Sequence, residues 1–350
     1  MILDFSKNIN IESLFPENEF EEKVISFLED WFSYSETVSV QTSGSTGIPK
    51  VFEIEKKRML NSAKMTCDFL GLKEKDTALL CLPVQYISGK MMLVRAIERK
   101  LKLIITTPTS TPEISENIDF CAMTPLQVQN SLDNIHLIKN LIIGGAAVSE
   151  NLKYQISREL STINRQPSTN IYETYGMSET LSHIALKQIS PVQEEYFTIF
   201  NDVEISVDER NCLKIFAPKL NPEILQTNDI VELMHFDFTQ CDKKQFKFLG
   251  RFDNVINSGG VKIFAEELES LVKKHIDRDL VFLGKPDETL GEKLVLVVEG
   301  EKDENLKSEI LNLKFENKFH IPKKVLFLEK FPRAENGKVL RKEILKFLAD

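Results

Sequence analysis
The sequence predicts an α/β protein in two parts, a large domain over residues 1–250 and a small α+β domain over residues 251–350. Three observations predict it. From Thr77 to Tyr172, short and almost uninterrupted apolar runs alternate with helix-spaced segments, the pattern of mixed or parallel sheets covered by helices on both faces. From about residue 190 the texture changes to closely spaced strands with alternating polarity, which suggests an antiparallel, barrel-like β subdomain. Beyond Gly250-Arg251, helices and strands mix again over a stretch long enough for a domain of its own.

Taken in order, Phe20, Val24, Phe27, Leu28, Trp31 and Phe32 recur at helical spacing, so residues 18–34 form an amphipathic helix whose aromatics belong to the core. Thr37–Gln41 alternates as a short strand, and Phe52 and Ile54 mark the next. Residues 57–70 read as a helix stopped by Gly71. Thr77–Leu82 is a buried strand ended by Pro83, residues 89–98 are helical, and Leu101–Thr106 is again a strand. Strands at Phe120–Met123, Leu141–Ile143 and Asn170–Tyr172 alternate with helices near 125–133 and 150–160. The alternating strands are Val203–Val207, Leu213–Phe216, Ile230–Leu233 and Phe246–Leu249. The small domain reads as a helix at 265–276, strands at 280–284 and 293–298, a helix near 303–317, a strand at 324–328 and a last helix from about 340.

Composition narrows the function. A net charge of −9 and a pI of about 5.3 argue against a nucleic-acid footprint or an anionic-membrane surface. Cys67, Cys81, Cys121, Cys212 and Cys241 are scattered without a CxxC pair, and the histidines show no HExxH spacing. Free thiols in a reducing cytoplasm and no structural zinc follow. The N-terminus lacks a signal-peptide pattern and no apolar run approaches a membrane span, so a cytoplasmic protein is expected.

The richest stretch is Thr42-Ser43-Gly44-Ser45-Thr46-Gly47-Ile48-Pro49-Lys50, directly after the first alternating strand. Glycines let backbone N–H groups approach an anion closely, while hydroxyls and an ammonium add donors, so a polyphosphate cradle fits. The P-loop of kinase-like NTPases has a longer spacer between its glycines and no proline before its lysine. Gly44 and Gly47 stand too close for it. A second group, Tyr172-Glu173-Thr174-Tyr175-Gly176-Met177-Ser178-Glu179-Thr180, offers an aromatic for a base, a hydroxyl for a phosphate and a carboxylate for Mg²⁺ at a strand end.

The first loop resembles the phosphate-binding loop of the adenylate-forming superfamily, which includes acyl-CoA ligases, peptide-synthetase adenylation domains and luciferases. The second group is similar to that superfamily's Tyr-Gly-x-Thr-Glu element. Gln226-Thr227-Asn228-Asp229 stands where its Thr-Gly-Asp is expected, Gly250–Glu269 resembles its hinge and glycine-rich segment, and Pro332–Lys338 resembles its Pro-x-x-x-x-Gly-Lys loop. The resemblance implies that Thr42, Ser43, Gly44, Ser45, Thr46, Gly47 and Lys50 cradle the phosphates of ATP. It implies that Gly144, Gly145 and Ala146 line adenine, that Tyr175 and Gly176 flank it, that Ser178 replaces the usual threonine and that Glu179 holds Mg²⁺. Asp229 is implied for the ribose, with Asn228 in place of glycine, and Arg251 for ribose and phosphate. Asp253 is implied as the hinge of a mobile small domain, Gly259, Gly260 and Lys262 for the pantetheine arm and thiol channel of CoA, and Lys338 for adenylate formation.

Within the superfamily, a chain that starts shortly before its phosphate loop, together with Leu82–Met92, Gly176–Ala185 and Val255–Gly260, looks most like the short bacterial o-succinylbenzoate–CoA ligases of menaquinone biosynthesis. The implied partners are ATP, CoA and an aromatic keto-diacid whose distal carboxylate needs a cationic or hydrogen-bonding group. Lys90, Arg95, Ser182 and His183 are candidates, and Tyr86 stands where many relatives carry a histidine at the acyl gate. A ligase for another aryl or fatty acid, and a catalytically silent adenylate- or CoA-binding module, are the alternatives. Retention of Lys50, Glu179, Asp229, Arg251 and Lys338 together argues against silence.

Overall fold
A computed structural model describes residues 1–41, 51–162, 169–234, 244–333 and 339–347. The chain begins with β1 (Ile2–Asp4) and α1 (Glu19–Phe32). Helix α1 starts where the Asn18 side chain accepts the Glu21 N–H, and it buries Phe20, Val24, Phe27, Leu28 and Trp31 but leaves Phe32 outside. β2 (Thr37–Gln41) and β3 (Val51–Glu55) pair as a separate antiparallel hairpin. α2 (Lys56–Leu70) ends at Gly71, whose left-handed backbone suits glycine. Then follow β4 (Thr77–Leu80), α3 (Ile87–Arg99), β5 (Lys102–Ile105), β6 (Ile118–Met123), α4 (Pro125–Gln129), β7 (Ile138–Ile143), α5 (Glu150–Thr162) and β8 (Asn170–Gly176). These strands lie in the order β1-β5-β4-β6-β7-β8, parallel from β5 to β8, with β1 antiparallel at the edge. Alternate residues feed two cores: Ala78 and Leu80 enter one, and Leu79 the other.

The same sheet continues through β9 (His183–Ser190), β10 (Phe197–Ile199), β11 (Glu204–Val207), β12 (Cys212–Ala217), β13 (Asn221–Leu233) and β14 (Gln245–Arg251). Their order is β8-β9-β10-β14-β13-β12-β11, all antiparallel, in one sheet of 12 strands. This corrects the expected barrel-like subdomain. β9 and β10, which the sequence reading passes over, hydrogen-bond the antiparallel strands onto β8, so they extend the large sheet and do not curl into a closed barrel among the described residues.

A second sheet of 5 strands comprises β15 (Val255–Ser258), β16 (Val261–Phe264), β17 (Leu280–Asp287), β18 (Gly291–Glu299) and β19 (Lys324–Leu328). α6 (Ala265–Lys273), α7 (Glu304–Leu311) and α8 (Arg341–Phe347) accompany it. It has its own cores, one around Phe282, Leu296 and Val272, the other around Val281, Val297 and Ile344. The helix expected over 303–317 ends at Leu311, and Leu313 and Phe315 reach the core from irregular backbone instead. No helix among the described residues is long and apolar enough to cross a membrane.

Candidate active site
β7 and β8 are parallel neighbours, so the turns that leave their C-terminal ends lie side by side, the usual place for a ligand in such a sheet. The first turn holds Gly144, Gly145 and Ala146. A β-carbon on Gly144 would lie 2.8 Å from Thr174 Oγ1, and one on Gly145, whose φ is 87°, would meet only Thr124 Cγ2, at 4.0 Å. Exposed small residues here let a flat ring approach the backbone. The second turn follows Tyr175, whose ring packs among Phe197, Phe246 and Phe248. The Tyr175 hydroxyl donates to Asp229 Oδ2 at 2.6 Å, and burial followed by the Asp229 charge pushes the phenol well above its usual range.

The β13–β14 register sets Asp229 opposite Arg251. The Arg251 guanidinium lies 3.8 Å from Asp229 Oδ1 and 3.4 Å from Asp253 Oδ2, and its side chain keeps 43% of its surface exposed. The Asn228 amide also reaches Asp253, at 3.4 Å. Tyr175, Asp229, Arg251 and Asp253 are thus brought together, with the arginine open to an incoming anion. Ser178 and Glu179 stand exposed on the next turn. Among the described residues no group of three or more His, Cys, Asp or Glu could hold a metal. One exposed carboxylate fits Mg²⁺ nonetheless, because that ion takes most of its ligands from phosphates and water.

A second constellation forms around Arg95. Arg95 is 2% exposed and has no carboxylate within salt-bridge distance among the described residues. One of its nitrogens donates to Ser182 Oγ at 2.9 Å, another contacts Met92 Sδ at 3.9 Å, and Nε has no partner. Ser182 Oγ lies 3.3 Å from His183 Nδ1, and His183 Nε2 lies 3.1 Å from Thr66 Oγ1, which donates to Ser62 O. All of these contacts are satisfied in one direction: Arg95 donates to Ser182, Ser182 to Nδ1 of a neutral His183, and His183 to Thr66. Burial, then the Arg95 charge, holds the imidazole well below its ordinary pKa, in keeping with that pattern. Desolvation lowers the guanidinium only to about 10, so it stays charged.

Three of the four candidates for the distal carboxylate therefore meet, and Lys90 does not join them. Five positions along α3 turn it roughly 140° away from Arg95, at about 100° per residue. Its ammonium instead donates to the Ser39 carbonyl on β2 and sits 5.5 Å from the Phe27 ring centroid. Tyr86 bridges to Gln41, the residue just before Thr42.

Thr42, Ser43, Gly44, Ser45, Thr46, Gly47, Lys50 and Lys338 lie outside the described residues. The segment before Lys338 is held by Arg333, 2.6 Å from both Asp279 and Glu299, and the one after it by Arg341, 2.5 Å from Glu269. Gly259 and Gly260, with φ of 59° and 80°, form the positive-φ turn between β15 and β16, and Lys262 is exposed beside it. Two contributors escape sequence reasoning. Thr66 carries no signal at all in α2. Glu173 does lie inside a recognised motif: its Oε1 accepts the Val148 N–H at 3.0 Å and so fixes the far end of the Gly144–Ala146 turn, with Lys187 3.0 Å from Oε2.

Residues 37–210 match the family of AMP-binding enzymes. The chain is 32% identical to an acyl-CoA synthetase (AMP-forming)/AMP-acid ligase II-like protein from Dyadobacter fermentans, covering 99% of both chains with a TM-score of 0.65. It is 25% identical to a 2-succinylbenzoate–CoA ligase of Listeria monocytogenes over 91% of this chain and 71% of that one. It also shares its fold with the Bacillus subtilis o-succinylbenzoate CoA synthetase MenE in complex with ATP and magnesium, at 19% identity, 88% and 69% coverage and a TM-score of 0.69.

Proposed function
Because the chain belongs to the AMP-binding enzyme family and is an AMP-forming acyl-CoA ligase, we propose that the acid it joins to CoA is a dicarboxylate of the o-succinylbenzoate type. The observation that supports this reading is Arg95. A buried guanidinium without a counter-charge is costly, and a ligand carboxylate is the natural partner for its free N–H groups. Ser182 and His183 complete a polar floor for that group. The names of the curated relatives point to the same acid.

In the first step a carboxylate oxygen of the acid attacks the α-phosphorus of ATP, and pyrophosphate leaves. In the second the CoA sulfur attacks the acyl carbon of the adenylate, and AMP leaves. We assign the Thr42–Lys50 loop to the phosphates, Gly144–Ala146 and Tyr175 to adenine, Asp229 to the ribose, and Arg251 to the ribose and phosphate. Glu179 is the residue that would hold Mg²⁺, which when bound neutralises the leaving pyrophosphate. Lys338 stabilises charge at the reacting oxygens. The two steps need different groups at one place, so residues 251–350 act as a small domain that turns about Asp253, and Gly259, Gly260 and Lys262 then frame the thiol channel. The free thiols Cys67, Cys81, Cys121 and Cys212 suit a reducing cytoplasm.

The test compares the diacid with its analogue lacking the distal carboxylate. Loss of that group should cost about 2–5 kcal/mol in kcat/KM, and Arg95→Gln should abolish the discrimination. Equal kcat/KM for the two acids removes the dicarboxylate reading. Absence of acid-dependent ATP–pyrophosphate exchange across an acid panel would argue instead for an acid outside that panel.

A further inference from the structure
We propose that Thr180 is a positioning residue that locks the Glu179 side of the site to the Arg95 pocket, so that Mg²⁺·ATP and the acid are held by one rigid loop. Residues 177–182 join β8 to β9 and serve both halves of the site: Ser178 and Glu179 are exposed, whereas Ser182 meets Arg95. Thr180 lies between them with 0% of its surface exposed. Its Oγ1 accepts the Met177 N–H at 3.0 Å and donates to the Ser182 carbonyl at 2.7 Å, with the Met177 carbonyl, at 3.0 Å, the other acceptor in reach. One hydroxyl clamps both ends of the loop.

The backbone between the clamped ends is strained. Leu181 has φ of 65° and ψ of −41°, and the Ser182 N–H closes onto the Thr180 carbonyl at 2.7 Å. That is a γ-turn of the positive-φ kind, rare for a residue with a side chain, which persists only where its surroundings over-determine it. Three things do so here. The Leu181 side chain is buried in the core, the Thr180 hydroxyl holds the next carbonyl, and Gly176 allows closure where a β-carbon would lie 2.4 Å from the Ser182 carbonyl. Reversing the chain between β8 and β9 needs none of this, since shorter and unstrained turns join antiparallel strands. What the strained turn adds is the direction of Ser182 Oγ toward Arg95 while Glu179 stays on the outer side.

The link rests on the proposed function in taking the Arg95 pocket as the acid's place. The experiment is therefore run with whichever acid the wild-type enzyme turns over, so that losing the dicarboxylate reading leaves it intact. Thr180→Val keeps the shape and removes the hydroxyl, and Thr180→Ser keeps the hydroxyl. Pyrophosphate exchange is measured against acid and against Mg²⁺, beside the melting temperature. Thr180→Val should raise the acid KM and the Mg²⁺ midpoint together, each by about fivefold or more, as for coupled sites. Thr180→Ser should restore both to within about twofold, below that coupling range. A merely structural role lowers the melting temperature and the active fraction but leaves both constants in place. That outcome, or movement of only one constant, overturns the proposal. Should Thr180→Val not fold, Thr180→Cys, a weaker donor in nearly the same volume, must shift both constants in the same direction, and unmoved constants overturn the proposal equally.

Discussion
Arg95 on α3 and Arg341 on α8 are both largely withdrawn from water, and their partners differ completely. Arg341 puts its guanidinium on both oxygens of Glu269, at 2.6 and 2.5 Å, and on the Phe282 carbonyl at 3.2 Å. Arg95 has a serine, a thioether and one nitrogen with nothing. The first charge is answered within the chain and ties α8 to α6 and β17. The second has no counter-charge among the described residues, and on the reading proposed above that separates a structural arginine from a recognition one. The largest effect expected from this contrast is on stability. Arg341→Met strands Glu269 as a buried, unpaired charge and should cost about 3–5 kcal/mol. Arg95→Met removes a charge that has no partner, so stability should stay level or rise while activity on a diacid falls. Chemical denaturation of the two variants checks this, and equal losses would erase the distinction.

The small unit's sequence also carries Lys338, the cation we assign to the reaction, between Arg333 and Arg341. Arg333 and Arg341 bracket the segment that bears Lys338, so removing Lys338 should leave folding alone. Lys338→Ala should slow adenylate formation by about 10²–10³-fold, as for loss of one preformed charge-stabilising donor. Thioester formation from a supplied acyl-adenylate should continue. A bulky residue at Gly260, where an added β-carbon meets nothing within 4 Å but would stand in the path we assign to pantetheine, should do the reverse. Single-turnover pyrophosphate release, measured beside thioester formation, separates the two, and equal loss of both steps in both variants would end the two-orientation mechanism.

A smaller effect belongs to Glu179, the exposed counterpart of these buried groups. Glu179→Gln withdraws an anionic oxygen from a hard cation that keeps few protein ligands. The Mg²⁺ midpoint of the first step should rise, by about tenfold if one charge-assisted contact of 1–1.5 kcal/mol is lost. A superimposable magnesium titration removes Glu179 from the metal's shell.

Much of this was legible in the chain. The parallel half of the sheet announces itself because strands buried on both faces are apolar runs with helices between them. β9 hid because Ile184, Ala185 and Leu186 are consecutive and buried, which breaks the alternation an antiparallel strand is expected to show. β10, at 3 residues, is too short to carry a period. The motifs we assign to the nucleotide are contiguous in the chain, so a local pattern can report them. The Arg95 cluster that we assign to the acid was only half legible. Arg95 and Ser182 stand 87 positions apart and meet through sheet packing, which no local pattern reports. Lys90 looked equivalent to Arg95 until helical phase separated them, and Thr66 and Thr180 matter only for what they touch.

The last prediction uses pH to sharpen the contrast inside the pocket. His183 is buried and neutral, its pKa held well below 6.5 first by burial and then by Arg95. The unfolded chain gives it an ordinary value, so below about pH 6.5 the unfolded state binds a proton that the folded state refuses. His183 therefore contributes stability that is present above its unfolded pKa and is lost as pH falls toward its folded one. Between pH 8 and pH 5.5 the loss should be about 1.4 kcal/mol, one pH unit of differential protonation. His183→Gln, which can still donate to Thr66 and accept from Ser182, should flatten that part of the stability curve relative to wild type. Arg95→Met should flatten it only in part, because it removes the second cause and leaves the first. Denaturant midpoints at intervals between pH 8 and pH 5.5 read all three proteins, as an order-of-magnitude test of about 1 kcal/mol. If the wild-type and His183→Gln curves run parallel, the imidazole is not held neutral by this pocket, and the one-directional chain from Arg95 through Ser182 to Thr66 is wrong.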